Sequence, residues 1–203
     1  MMMNKKMVFS PYFTVLLLAL FLSGCAGTVK NMRTVPLDEV VTAPEEGKSR
    51  VVFMRPSGIG YAIQSSVFEI KKDNPSLVGI VAAKKKLSYS VEPGKHLFMV
   101  VGESADFMYA ELQADKTYYA LVTPRMGVWK ARFSLKPVHA GELNSAEFKE
   151  WQTSGEWVEK SPASDNWANA NMASIQSKYK EYYADWMEKG ASERPKLFPQ
   201  DGQ

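Results

Sequence analysis

One cysteine and two histidines are all the thiol and imidazole chemistry this chain of 203 residues contains. With Cys25 alone, no intramolecular disulfide forms, so the fold must be held by burial. His96 and His139 each stand beside turn-forming residues, with no carboxylate or second histidine at ligand spacing, and no metal centre is expected on them. Net charge is also small. The formal balance is +3, and two of those charges, Lys5 and Lys6, lie in a segment expected to be removed. No basic excess then points to nucleic acid as a partner. The run Lys84-Lys85-Lys86 is the one concentration of positive charge, and it reads as a solvated loop.

Catalytic motifs are missing as well. There is no Gly-x-Ser-x-Gly elbow. Gly58-Ile59-Gly60 begins a dinucleotide pattern, but Ile63 stands where the third glycine belongs. Ser177-Lys178-Tyr179-Lys180 and Ser164-Asp165-Asn166 match two motifs of penicillin-recognising enzymes. Their order is reversed, both fall on one expected helix, and Lys-Thr-Gly is absent. The paired carboxylates Glu45-Glu46 sit where nothing buries them. No catalytic residue, cofactor or metal is therefore expected, and the chain does not read as an enzyme.

What is present begins at the N-terminus. Lys5 and Lys6 precede an apolar run from Met7 to Leu22 that Ser10 and Pro11 interrupt. About a dozen strongly apolar residues remain, against the ~20 of a spanning helix. Leu22-Ser23-Gly24-Cys25 closes the run as a lipobox. Leu22 suits an apolar protease pocket, Ser23 and Gly24 let an extended backbone enter it, and a thiolate is the nucleophile that accepts a diacylglyceryl group. Residues 1–24 are expected to be a lipoprotein signal peptide, and Cys25 to carry the acyl chains, palmitate among them. Ala26, rather than an aspartate, follows the cysteine, so the outer membrane is expected over the inner one in a two-membrane envelope.

Residues 25–48 read as the lipidated cysteine and a tether, with Gly27, Pro36, Pro44 and Glu45-Glu46-Gly47-Lys48 and no sustained period. Fully extended, such a segment reaches roughly 80 Å from the bilayer. Residues 49–139 read as strand after strand. Arg50–Arg55 is a compact apolar run. Tyr61–Ile70 follows, with a phase shift near Ser65-Ser66 that suggests a bulge. Asp73-Asn74-Pro75 is a turn, and Leu77–Val81 and Leu87–Val91 are short strands. Pro93-Gly94 turns the chain into His96–Val101. Phe107–Leu112, Tyr118–Thr123 and Val128–Leu135 complete the series. In the last, Trp129, Ala131, Phe133 and Leu135 share one face. With no room for helical crossovers, the expectation is a mainly β domain: an antiparallel Greek-key β-sandwich.

Three segments carry a resemblance. They are Phe53-Met54-Arg55-Pro56-Ser57, Val91-Glu92-Pro93-Gly94-Lys95-His96, and Lys116-Thr117-Tyr118-Tyr119 followed by Met126-Gly127-Val128-Trp129. In this order, behind a lipobox, the chain resembles a family of bacterial lipoprotein domains of unknown function. Members of that family are similar to transthyretin-like and PEGA-like β-sandwiches. The resemblance spans roughly Arg50 to Val138. It implies fold and address, and it supplies no catalytic residues.

Residues 140–203 read as a helical C-terminal extension. Asn144 is the expected cap of a short helix ending near Trp151, with Glu147 as its capping-box partner. Ser161-Pro162 opens a longer helix running to Lys189. On it, Trp167, Ile175, Tyr179, Tyr182 and Trp186 form one stripe. The stripe either docks on the sandwich or forms a binding surface, and Trp167, Tyr179, Tyr182 and Trp186 are its candidate contact residues. The sequence thus reads as a membrane-anchored envelope lipoprotein, a non-catalytic binding or assembly module. Its expected partners are membrane lipid through Cys25 and an unidentified envelope protein. Recognition of envelope glycan by exposed aromatics is the second reading and an enzyme the third.

Overall fold

Val51, Val52, Phe53 and Met54 are apolar without alternation, a pattern that suits a strand covered on both faces. All of β2 (Ser49–Arg55) is indeed buried. The computed structural model describes residues 29–125 and 131–203, and among these, eleven strands form two mixed sheets. One sheet has the order β1 (Met32–Val35), β10 (Glu156–Lys160), β5 (Lys85–Val91), β2, β8 (Thr117–Arg125), β9 (Arg132–Pro137). The other has the order β11 (Lys196–Leu197), β7 (Ala105–Leu112), β6 (Gly94–Val101), β3 (Ser65–Lys71), β4 (Asn74–Val81). The mainly β sandwich with a helical C-terminal appendage is the architecture observed.

Three apolar layers hold it. Between the sheets, Phe53 meets Phe98 edge-on at 5.2 Å, with Tyr118, Phe133 and Leu135 packed around them. On the outer face of the first sheet, α1 (Ala146–Thr153) sets Phe148 on Val52, Met54 and Leu121, and edge-on to Tyr119 at 4.8 Å. On the outer face of the second sheet, α2 (Pro162–Glu188) lays Ala168, Ile175, Tyr179 and Trp186 over Phe68, Leu77, Met99 and Phe107. Covering both outer faces explains a difference from the alternation in the sequence. Tyr118 and Tyr119 point to opposite faces, yet both are buried, because α1 shields the second.

Other expectations are corrected. The sheets are mixed rather than wholly antiparallel: β2 pairs in parallel with β8, β5 with β10 and β7 with β11. The chain leaves β2, passes twice through the opposite sheet, and returns as β8 on the other side of β2. A parallel pair therefore needs no helical crossover. The tight turn between β3 and β4 is Lys72-Asp73, both at positive φ (48° and 63°), while Asn74 and Pro75 already belong to β4. That is a two-residue hairpin loop whose twist matches its strands. The β-bulge lies between Val67 and Phe68. Tyr61–Gln64 form a loop ahead of β3, not its first residues. Ser145, not Asn144, caps α1, accepting from the Phe148 amide at 3.0 Å.

The segment read as a tether is partly folded. Val29 is buried between the sheets, and β1 pairs with β10, Met32 opposite Lys160. The C-terminal extension supplies β10 and β11, so the sheets run across the boundaries read at residues 49 and 140. Leu22, Ser23, Gly24 and Cys25 lie outside the described residues, as do Gly127 and Trp129. Among the described residues, no helix is long and apolar enough to cross a membrane.

Candidate functional site

The four aromatic candidates on α2 have two fates. Trp186 and Tyr179 are buried against the second sheet, while Trp167 and Tyr182 are half-buried beside it. Trp186 packs edge-on to Tyr109 at 5.0 Å and tilted to Phe107 at 5.7 Å. Polar contacts reinforce the docking. The Tyr179 hydroxyl donates to Asp73 Oδ1 at 3.0 Å, Gln176 Nε2 to the Asp73 carbonyl at 3.0 Å, and Lys178 Nζ to the Gly102 carbonyl at 2.7 Å. Burial, and then the Asp73 carboxylate, push the Tyr179 phenol up to about 12. Most of the stripe is thus spent on the fold.

The helix does not cover the whole sheet. Where it passes the ends of β3, β6 and β7 nearest Lys71, a cleft of about 440 Å³ stays open. Its floor is Ile70, Leu97 and Ala110, and its wall is Tyr109 and Tyr183, whose hydroxyls lie 3.4 Å apart. Burial, and then Tyr109, push the Tyr183 phenol up to about 12, so it stays a neutral hydroxyl at physiological pH. Lys72, Lys95 and Lys196 stand at the rim. Lys196 is paired with Glu111 at 2.9 Å, whereas Lys72 and Lys95 make no ion pair among the described residues. Volumes of ~300–1,000 Å³ with an apolar lining and a few polar groups are those of small-ligand sites.

Beside the cleft, at the mouth between the sheets, lies a cluster of titratable groups. Glu69 on β3 is buried. It accepts from the Tyr89 hydroxyl at 2.6 Å, faces His96 Nδ1 at 2.7 Å and pairs with Lys71 at 2.9 Å. Burial alone would raise its pKa; donation from His96, Tyr89 and Lys71 outweighs that and holds it at about 2. Tyr89 is pushed up to about 12, first by burial and then by Glu69. The other nitrogen of His96 faces the Glu92 carbonyl at 2.9 Å. Both ring nitrogens thus face groups of the fold itself, the Glu69 carboxylate and the Glu92 carbonyl. An imidazole engaged in that way has no free nitrogen for a substrate proton. The cluster is a polar clamp between β3, β5 and β6.

His139 forms a second pair. Its Nδ1 lies 2.9 Å from Asp201, which is buried and also accepts from the amides of Ala140 and Phe198. Asp201 thereby ties the chain's end to the turn after β9. No hydroxyl bonds His139 Nε2 among the described residues. Neither pair was visible as spacing, because Glu69 and His96 are 27 positions apart and His139 and Asp201 are 62 apart. The one local signal is a carboxylate inside the apolar run Val67-Phe68-Glu69-Ile70. Among the described residues, no group of three or more His, Cys, Asp and Glu is arranged to hold a metal ion.

The chain matches no protein-family model, and no curated protein matches it at a significant level.

Proposed function

We propose that the chain is a bacterial envelope lipoprotein, held to the membrane by acylated Cys25, that works as a non-catalytic binding or assembly module through the cleft beside α2. The lipobox supports the address. The resemblance to lipoprotein β-sandwich domains belongs to the same reading, as does outer-membrane sorting. The observation that carries the binding role is the contrast between the two neighbouring polar sites. The Glu69 cluster satisfies its donors and acceptors internally, whereas the cleft keeps an apolar floor, the phenol hydroxyls of Tyr109 and Tyr183, and Lys72 and Lys95, which make no ion pair among the described residues. That set binds; it holds no activated nucleophile or base.

The test is crosslinking capture from native membranes, comparing wild type with Lys72→Glu/Lys95→Glu. The reading expects a partner that the double reversal loses. Capture that survives lysozyme digestion marks a protein, and capture that digestion removes marks glycan. A partner retained equally by the variant would reject the cleft as the site. Intact-mass analysis covers the address: wild type should carry acyl chains on Cys25, and Cys25→Ala should carry none.

A further inference from the structure

Arg194 lies in the turn between α2 and β11, and among the described residues no carboxylate pairs with it. Its guanidinium stands over the Trp186 ring at 5.7 Å, and its Nη1 has the Met187 thioether, at 3.1 Å, as acceptor. Nε is buried without a partner, and Nη2 makes no hydrogen bond among the described residues. A thioether is a weak acceptor, and a ring face answers a cation only in part. An arginine serving the fold alone would turn its fork onto the last carbonyls of α2. None of those carbonyls accepts from it.

Arg194 borders a hollow of about 380 Å³, which meets the cleft at Tyr109 and Lys196. No Asp or Glu lines this hollow. His139 does, with its side chain 47% exposed and Nδ1 turned onto the buried Asp201. The opposite edge of the ring, with Nε2, is therefore the edge left to the hollow. Asp201 is itself fixed by the amides of Ala140 and Phe198, so the imidazole is held in one orientation. Lys196 is answered by Glu111 and lies over the exposed Phe198 ring at 5.0 Å. Ser192 adds a hydroxyl to the lining. The charge on Arg194 is the one in the hollow that no carboxylate answers.

We propose that this hollow is a second binding site, distinct from the cleft, for a small organic oxyanion: a carboxylate or phosphate ester carried on a flat apolar body. The oxyanion meets Arg194 Nη2, because a planar guanidinium fits such groups where an ammonium does not. His139 Nε2 is the second polar contact; it donates when the ring is charged and accepts from a ligand hydroxyl when the ring is neutral. The rings of Phe198 and Tyr109 take the apolar body. The volume is that of a small-ligand site.

The chain's two histidines report the two sites separately, His139 from the hollow and His96 from the cleft. The full chain, carrying isotope-labelled histidine and held in non-ionic detergent micelles, is titrated at fixed pH with phenyl phosphate, benzoate and uncharged benzamide. His139→Gln assigns the ring signals in the NMR spectrum. An anionic probe should move the His139 signals saturably and leave those of His96 in place, while benzamide moves neither. The tighter of the two anions identifies the preferred group. Arg194→Gln should weaken binding by ~10-fold or more, the loss expected of a charge-assisted hydrogen bond. Arg194→Lys keeps a cation beside Trp186 and should bind between the two. Lys72→Glu/Lys95→Glu should bind as wild type does. No saturable shift of His139 at millimolar anion would overturn the proposal, as would an equal response to benzamide or an unchanged affinity in both Arg194 variants. Shifts confined to His96 would also overturn it and would place the anion in the cleft.

Discussion

Replacing Trp186 with alanine tests whether α2 is part of the fold or a surface waiting for a partner. The indole lies among Phe107 and Tyr109, stacks on Tyr183 at 6.0 Å, and has the Arg194 guanidinium over it at 5.7 Å. Truncating a ring buried in this way costs ~3–5 kcal/mol. The indole also carries a penalty of its own: Nε1 is buried with no hydrogen-bond partner among the described residues. An unsatisfied buried N–H costs ~1–3 kcal/mol. Trp186→Phe gives up ring area but also removes that N–H. The two effects oppose each other, and the net change should stay within ~1 kcal/mol. Urea melts of the Cys25→Ser form, followed by circular dichroism, separate the cases. With a slope near ~2 kcal/mol/M, the alanine variant should lose about 2 M of midpoint and the phenylalanine variant little. An unchanged midpoint for Trp186→Ala would refute the docked helix. A phenylalanine variant as weak as the alanine one would refute the argument from the unsatisfied N–H. The point substitution is cleaner than deleting everything after Ser161, which also removes β11 and the buried Asp201.

Glu69 predicts an acid-sensitive clamp. Its folded pKa, about 2, lies below the ordinary 4.5, so its stabilising contribution is full above 4.5 and is lost as pH falls from there towards 2. The gap corresponds to ~3 kcal/mol, and Glu69→Gln should flatten the acid limb of urea midpoint against pH; a wild-type midpoint that does not fall over that range would contradict the clamp. Phe133 is buried under Arg55 while Arg132, one residue before it, is exposed. Phe133→Ala should therefore cost ~3–5 kcal/mol and Arg132→Ala less than ~0.5, and equal losses in the same melts would break the alternation assigned to β9.

The strands legible in the sequence were those whose partners cover them. β2, β6 and β8 announce themselves as apolar runs because helices and sheets bury both their faces. β1, β10 and β11 were not legible, for a matching reason. β1 and β11 are edge strands and β10 lies next to the edge, between β1 and β5, and β1 and β10 have exposed residues such as Arg33 and Glu159 that pair across a gap of 126 positions. Nothing local in Met32–Val35 separates an edge strand from a linker. Docking of α2 was legible as an apolar stripe. What the stripe leaves uncovered was not, because the cleft depends on how far the helix reaches across β3, β6 and β7. The polar clamp was hidden for a geometric reason. Glu69 and His96 meet because β3 and β6 are hydrogen-bonded neighbours, and sequence spacing does not encode that neighbourhood.

The folding of residues 29–35 changes what the module is able to reach. On the lipoprotein reading, a free tether would allow partners roughly 80 Å from the bilayer, whereas a fold that already buries Val29 leaves at most ~14 Å of chain between it and Cys25. The strands also set how far the cleft lies from the other end of the sandwich. β3 begins beside the loop of Ile59–Ile63 and ends at Lys71, next to the cleft. Seven residues at ~3.3 Å each put the cleft ~20 Å from that loop. Charge reversal at Lys72 and Lys95 should therefore abolish partner capture, whereas polar substitution at Ile59 and Ile63, beyond the other end of β3, should leave it intact. Loss of capture by both variants would mean that the cleft is not a binding site of its own.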